Sequence, residues 1–265
     1  MDGTNPLYIP ELLTNIAKYL KKHHVVKCLQ VCKHWHHTLA PLVWRSVRIR
    51  REPKDTTDNA LTRECFLKYS DLIFELSDGY ILPGHCTMTF PNLHTLDLYT
   101  SFSTRDSLGE SYAVELVSLN PSLVDISVCQ PDSTRGVQFW EVVSNLQYLK
   151  SIRTFNVALH EDEMETFWKV LSKLEDVHLE MLEFPMDCHQ PSFTFYRLRK
   201  IVLTTADSNY DVQLQFIRSC PNLDLLWRVW EKTEVLDEFA SNVEHGLWPK
   251  LEAIYLDIDI DEQCF

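Results

Sequence analysis

The sequence predicts an α/β fold: a short three-helix module, then a repetitive array of strand–helix units forming a curved parallel sheet with helices on its outside. Three observations carry this. Apolar residues recur at helical spacing between Leu7 and Trp44, a 1-4-6 apolar pattern returns seven times beyond residue 90, and charge divides between the two regions. Residues 1–50 hold eight cations (Lys18, Lys21, Lys22, Lys27, Lys33, Arg45, Arg48, Arg50) against Asp2 and Glu11, a net +6; the chain is −13, so the remainder carries −19. Two regions of opposite sign predict two surfaces with different partners.

In the module, Pro10 stands where a helix can start without its N–H, and Glu11 follows in the first turn, where negative charge is favoured. Leu12, Leu13, Ile16 and Leu20 form one apolar stripe, and Lys18, Lys21 and Lys22 are expected to close that helix. Val25, Val26 and Leu29 make a second set, and Cys32, Trp35 and Leu39 a third. Pro41 is expected to end the helical pattern, with Leu42, Val43 and Trp44 as a last hydrophobic anchor. Three helices in under fifty residues cannot bury this much apolar surface among themselves, which predicts a docking partner.

The run Tyr8-Ile9-Pro10-Glu11-Leu12-Leu13, then Ile16, Leu20 and Leu29, then Val31-Cys32-Lys33-His34-Trp35 and Leu42-Val43-Trp44-Arg45, resembles an F-box over about 40 residues. It departs from that family at its opening, where the usual leucine-proline is Tyr8-Ile9 and the proline comes one place later. The resemblance implies binding to a Skp-type adaptor and, through it, to a cullin–RING ubiquitin ligase. The adaptor contacts it implies are Ile9, Pro10, Leu12, Leu13, Ile16, Leu29, Val31, Cys32 and Trp35, some of which must instead form the module's own core. Cys28 and Cys32 with His23, His24, His34, His36 and His37 are rich in ligand types, but their spacing continues the apolar stripe and does not match structural zinc sites. No metal or cofactor is expected.

The repeat runs Leu93-Leu96-Leu98, Leu123-Ile126-Val128, Leu149-Ile152-Thr154, Leu174-Val177-Leu179, Leu198-Ile201-Leu203, Leu223-Leu226-Arg228 and Leu251-Ile254-Leu256, at intervals of 30, 26, 25, 24, 25 and 28 residues. Pro91, Pro121, Pro221 and Pro249 each precede a first position by two residues. Helical segments lie between strands: Met164, Phe167, Trp168 and Leu171 form one stripe, Val235, Leu236, Phe239 and Val243 another, and Ser107 with Glu110 is a possible capping box. One strand and one helix per unit resembles the leucine-rich repeat family from about residue 90 to the end. The expected division is an F-box over 1–46 and a leucine-rich-repeat solenoid over 47–265. Its irregular first unit, 47–89, has a strand at Val47-Arg48-Ile49 and a helix from Leu61 to Leu76. The sixth unit is ambiguous, because Leu225, Trp227 and Val229 offer a register that would turn its strand over.

If positions 1, 4 and 6 point inward, alternation places Asp97, Ser127, Arg153, His178, Val202, Trp227 and Tyr255 in one outward column. Tyr99, Cys129, Phe155, Glu180, Thr204, Val229 and Asp257 form the next. Solenoids bind partners on such concave faces. The candidate target-binding residues are Asp97, Tyr99, Arg153, Phe155, His178, Glu180, Trp227 and Tyr255, chosen for charge and for the aromatic types that dominate interfaces.

No phosphate loop, nucleophile elbow or His-Glu-x-x-His helix occurs, and His178 and His160 lack evident carboxylate partners in sequence, so no enzymatic activity is expected. An acidic chain of pI ≈ 5.3 argues against general nucleic-acid binding. No run of about 18 apolar residues suggests a membrane span. Met1–Pro10 lacks a secretory pattern, and the eight scattered cysteines read as reduced thiols, so a cytoplasmic or nuclear location is expected. The whole resembles an F-box protein with leucine-rich repeats. That implies a substrate receptor of an SCF-type (Skp–cullin–F-box) ubiquitin ligase, or alternatively a scaffold acting outside one, with a basic protein segment favoured as target.

Overall fold

The computed structural model describes residues 6–49, 56–78, 87–98, 108–129, 136–185, 193–204, 210–230 and 240–258. Three helices open it: α1 (Pro10–Lys18), α2 (Lys22–Cys28) and α3 (Lys33–Trp44). Ile9 is the extended N-cap of α1 and Pro10 its first residue, while Glu11 and Lys18 complement the helix dipole. Lys21 and Lys22 do not close α1 as expected: the chain turns at Tyr19, Lys21 is the N-cap of α2 and Lys22 its first residue. Lys22 Nζ instead donates to the Ser46 carbonyl, and burial lowers its pKa against the opposing pull of Glu75.

Pro41 does not end α3 either. It lies inside the helix, which continues to Trp44. The proline removes one N–H, but buried Leu39, Ala40 and Val43 flank it, and the Arg45 N–H returns to the Pro41 carbonyl at 3.0 Å. Leu13, Ala17, Val25, Leu39 and Val43 form the module's core.

Beyond Arg45 the described residues build one nine-stranded sheet whose strands stand in sequence order, each parallel to the next. They are β1 (Ser46–Ile49), β2 (Glu75–Asp78), β3 (Thr95–Leu98), β4 (Asp125–Cys129), β5 (Ser151–Ala158), β6 (Asp176–Glu183), β7 (Lys200–Thr204), β8 (Leu225–Trp230) and β9 (Ala253–Ile258). Helices α4 (Thr56–Tyr69), α5 (Leu108–Leu119), α6 (Gly136–Ser144), α7 (Met164–Leu171) and α8 (Tyr210–Arg218) lie between strands, as a parallel connection requires, and residues 240–244 are also helical. Val235, Leu236, Phe239 and Ser107 lie outside the described residues.

The register is the sequence repeat made physical. Leu96, Ile126, Ile152, Val177, Ile201, Leu226 and Ile254, the fourth positions, are direct cross-strand partners in succession. At every junction one carbonyl accepts two consecutive N–H groups from the next unit, from Arg45 O with Phe74 and Glu75 (2.9 Å each) to Asp224 O with Glu252 (2.9 Å) and Ala253 (3.3 Å). The Pro91, Pro121 and Pro249 turns close with i→i+3 hydrogen bonds, Leu93 to Phe90 at 3.0 Å, Leu123 to Asn120 at 3.4 Å and Leu251 to Trp248 at 3.2 Å, with proline at the position that favours its φ.

Two expectations change here. The helix expected to reach Leu76 stops at Tyr69, and β2 follows, so the described residues within 47–89 hold two strands and not one. Ile73 and Leu76 are fully buried at the first and fourth positions of that extra unit, but Asp78 occupies the sixth and hid the pattern. In the sixth unit Leu223 and Leu226 are buried while Trp227 is 46% exposed, which decides the ambiguous strand in favour of the 1-4-6 register.

β5 and β6 run longer than their neighbours and each passes through a left-handed residue, Asn156 (φ 53°) and Met181 (φ 50°), at the same level of the sheet. Asparagine tolerates that conformation, but methionine pays about 1–2 kcal/mol for it. Met181→Gly is therefore expected to raise the unfolding free energy by about 0.5–1 kcal/mol in urea, and Met181→Val to lower it.

Candidate functional site

Two surfaces take up the residues singled out from sequence. On the helical module, the nine implied adaptor contacts divide by exposure. Leu13 is 2% exposed and belongs to the core, and Leu29 and Trp35 are half-buried against it. Ile9, Pro10, Leu12, Ile16, Val31 and Cys32 face solvent. The split follows helical geometry: Ile9, Leu12 and Ile16 recur on one side of α1, Leu13 and Ala17 on the other. Tyr8, Tyr19, Leu20, Val26 and Leu42 are further exposed apolar side chains, with Tyr19 90% exposed. Sequence reasoning did not pick them out as contacts, because periodicity marks an apolar stripe without saying which part of it neighbouring helices cover. Cys28 packs half-buried against the core and Cys32 is the N-cap of α3. Among the described residues no three His, Cys, Asp or Glu side chains come together as a metal site would require.

The module joins the sheet through Trp44, whose ring stacks on Tyr69 (centroids 4.5 Å) and meets Phe66 edge-on at 6.3 Å. His36 bridges the same contact, Nε2 to the Tyr69 hydroxyl at 2.9 Å and Nδ1 to the Leu29 carbonyl at 3.3 Å. The Arg45 guanidinium lies 5.2 Å over Phe74. Arg45 is the single residue between α3 and β1.

On the sheet, the outward column lies on adjacent strands: Asp97, Ser127, Arg153, His178, Val202, Trp227 and Tyr255 are successive register partners. Asp97, Arg153, Phe155, His178 and Glu180 line one depression of about 220 Å³ together with Ser127. Trp227 and Tyr255 are adjacent, with ring centroids 5.5 Å apart and exposures of 46% and 53%. Tyr99 lies outside the described residues, as do the side chains of Val229 and Asp257.

The expectation that His178 has no carboxylate partner is corrected: its Nε2 is 3.5 Å from Glu180 Oε2, because residues two apart on a strand share a face. The backbone N–H of His160 donates to Glu163 at 2.8 Å, a main-chain cap and not an imidazole–carboxylate pair. Asp125 and Asp176 project from the same side of the sheet by alternation. Burial raises the Asp125 pKa, and Arg153 works against that rise. Burial likewise pushes up the Cys129 thiol in the second column. Ser127 and His178 lie on strands separated by β5, about 10 Å apart, too far for a serine–imidazole pair. The depression can hold charged and polar groups of a partner by charge-assisted hydrogen bonds, and the Trp227–Tyr255 pair can take an apolar one.

No curated protein matches the chain. Residues 10–50 match the family described as F-box-like, a stretch that spans α1, α2, α3 and β1. Domains of this family generally bind a Skp-type adaptor in cullin–RING ligases and occur in adaptors more than in enzymes. Residues 10–50 are thus similar to an F-box-like domain, and the helical module carries the similarity.

Proposed function

We propose that the chain is a substrate receptor of an SCF-type ubiquitin ligase, acting in the cytoplasm or nucleus. It docks a Skp-type adaptor through the exposed side of α1–α3 and holds a protein target on the open face of its sheet. We read that sheet as the concave side of an irregular leucine-rich-repeat solenoid. The observation that carries this reading is the division of α1 within the F-box-like match: Leu12 and Ile16 stand exposed, with Ile9 exposed at its N-cap, while Leu13 and Ala17 fill the core. A module that buries one side of its apolar stripe and leaves the other in water has a partner for the second. Transfer of ubiquitin belongs to other subunits; the chain supplies position.

Co-purification with a Skp-type adaptor tests the first half. Leu12→Asp with Ile16→Asp is expected to weaken the complex by about two orders of magnitude or more while leaving the melting temperature within a degree or two, because each places a charge at an apolar contact. Leu13→Asp is expected to unfold the module. Full retention of the adaptor by the double variant would sink the docking reading. A complex that forms, with a target whose lifetime does not change when the cullin is blocked, would make the chain a scaffold outside the ligase. A basic target should also bind more weakly as salt rises, since exposed charges more than about 10 Å apart are screened at 0.1 M.

A further inference from the structure

The open face of the sheet is chemically divided, and the division runs along the strand order. Across β3–β6, Asp97, Asp125, Asp176 and Glu180 set four half-buried carboxylates against Arg153, with His178 already beside Glu180. Across β7–β9 the third and fifth positions are Lys200, Val202, Leu225, Trp227, Ala253 and Tyr255, apolar except for Lys200 at the border. Trp227 and Tyr255 expose roughly half of two large rings to water and touch each other at 5.5 Å. Desolvating such rings is what interface anchors do, and partly desolvated carboxylates attract a cation more strongly than fully hydrated ones.

We propose that the target is a protein segment of two parts, a Lys/Arg-bearing stretch seated on β3–β6 and an aromatic or large aliphatic anchor on Trp227 and Tyr255. The inference rests on the open face being the target surface. The register fixes the spacing. His178, Val202 and Trp227 are successive partners, so two strand steps of ~4.8 Å put the anchor about 10 Å from the nearest acidic strand, β6, which carries Asp176 and Glu180. That distance is roughly three residues of extended chain or six of helix. Uniformly acidic segments meet repulsion at one half, and uniformly basic ones leave the aromatic pair uncovered.

The test pans a phage-displayed random peptide library against the immobilised chain, then measures the recovered peptides against two open-face variant pairs whose melting temperatures match the parent. Recovered peptides are expected to combine Lys or Arg with Trp, Phe or Leu at one of the two spacings. Trp227→Ser with Tyr255→Ser should weaken them about tenfold or more and erase the anchor preference in a repeat selection. Asp176→Asn with Glu180→Gln should weaken them several-fold, most at low salt, and erase the basic preference while the anchor preference stays. Peptides of another composition that still lose affinity in these variants overturn the two-part chemistry and leave the face as a binding surface. Peptides indifferent to both pairs, or no recovered peptides, overturn the use of the face as well. Adaptor binding by the helical module is untouched by either result.

Discussion

Replacing Trp168 with alanine is expected to lower the unfolding free energy by about 3–5 kcal/mol. The indole is 3% exposed on α7, and four phenylalanine rings surround it: Phe167 at 5.5 Å, Phe184 stacked at 5.7 Å, Phe195 at 5.9 Å and Phe216 at 5.3 Å. Phe184 follows β6, Phe195 precedes β7 and Phe216 belongs to α8, so one side chain from α7, between β5 and β6, ties together the two units that follow. Alanine leaves a cavity that rings on three backbone segments cannot all collapse into. Where stability is a sum of units and nearest-neighbour contacts, that loss should also broaden the urea transition, because the two flanks become less coupled. Trp168→Phe is expected to cost less than half as much, since it keeps an aromatic ring and removes an indole N–H that has no hydrogen-bond partner. A change below about 1.5 kcal/mol for the alanine variant would show that the hub collapses around the gap.

Asn120→Ala is expected to cost about 2–4 kcal/mol although it deletes only three side-chain atoms. Asn120 is fully buried, accepts the Phe90 N–H at 2.6 Å, and donates to the carbonyls of Leu116 at 2.7 Å and Met88 at 3.3 Å. Phe90 and Met88 are themselves buried, so alanine strands backbone groups that water cannot reach. Asn120→Asp separates the roles of the amide. The aspartate still accepts from Phe90 but loses both donors, and complete burial raises its folded-state pKa above the unfolded value of about 3.9. The folded state then holds the extra proton more tightly, so stability falls as pH rises above about 4 and recovers on acidification. Thermal melts of the two variants between pH 4 and 8 would separate them: the difference between them should grow with pH. A pH-independent difference would overturn the account.

Much of this architecture was legible because a parallel sheet in sequence order repeats one burial requirement. Leu96, Ile126, Ile152, Val177, Ile201 and Leu226 are all within 1% of complete burial, and selection for that single requirement leaves a periodic trace. β2 escaped because its sixth position is Asp78 and the apolar residues of α4 ran on into Ile73 and Leu76, so helix and strand merged into one pattern. Pro41 misled for a different reason: the local rule against proline in a helix was outweighed by burial of Leu39 and Val43 around it. Asn120 left no signal, since a buried asparagine and an exposed one look alike in sequence. On the open face, strand alternation was enough to place Asp97, Arg153 and His178 in one column. Their closure into a depression with Phe155 and Glu180 depended on strand register. On α1, Leu12 and Leu13 are chemically identical neighbours, and only the packing of α3 makes one core and the other surface.

The one-residue join between α3 and β1 has a mechanical meaning. With Trp44 clamped on Tyr69 and only Arg45 between helix and strand, the chain has no slack at which the sheet could swing against the helices. From β1 to β8 there are seven strand steps, about 34 Å along the sheet. A segment gripped at Trp227 is therefore carried at a set reach and heading from whatever grips the helices, as if on a ruler graduated in strands. Adding or removing one unit would shift its load by one graduation without touching either grip.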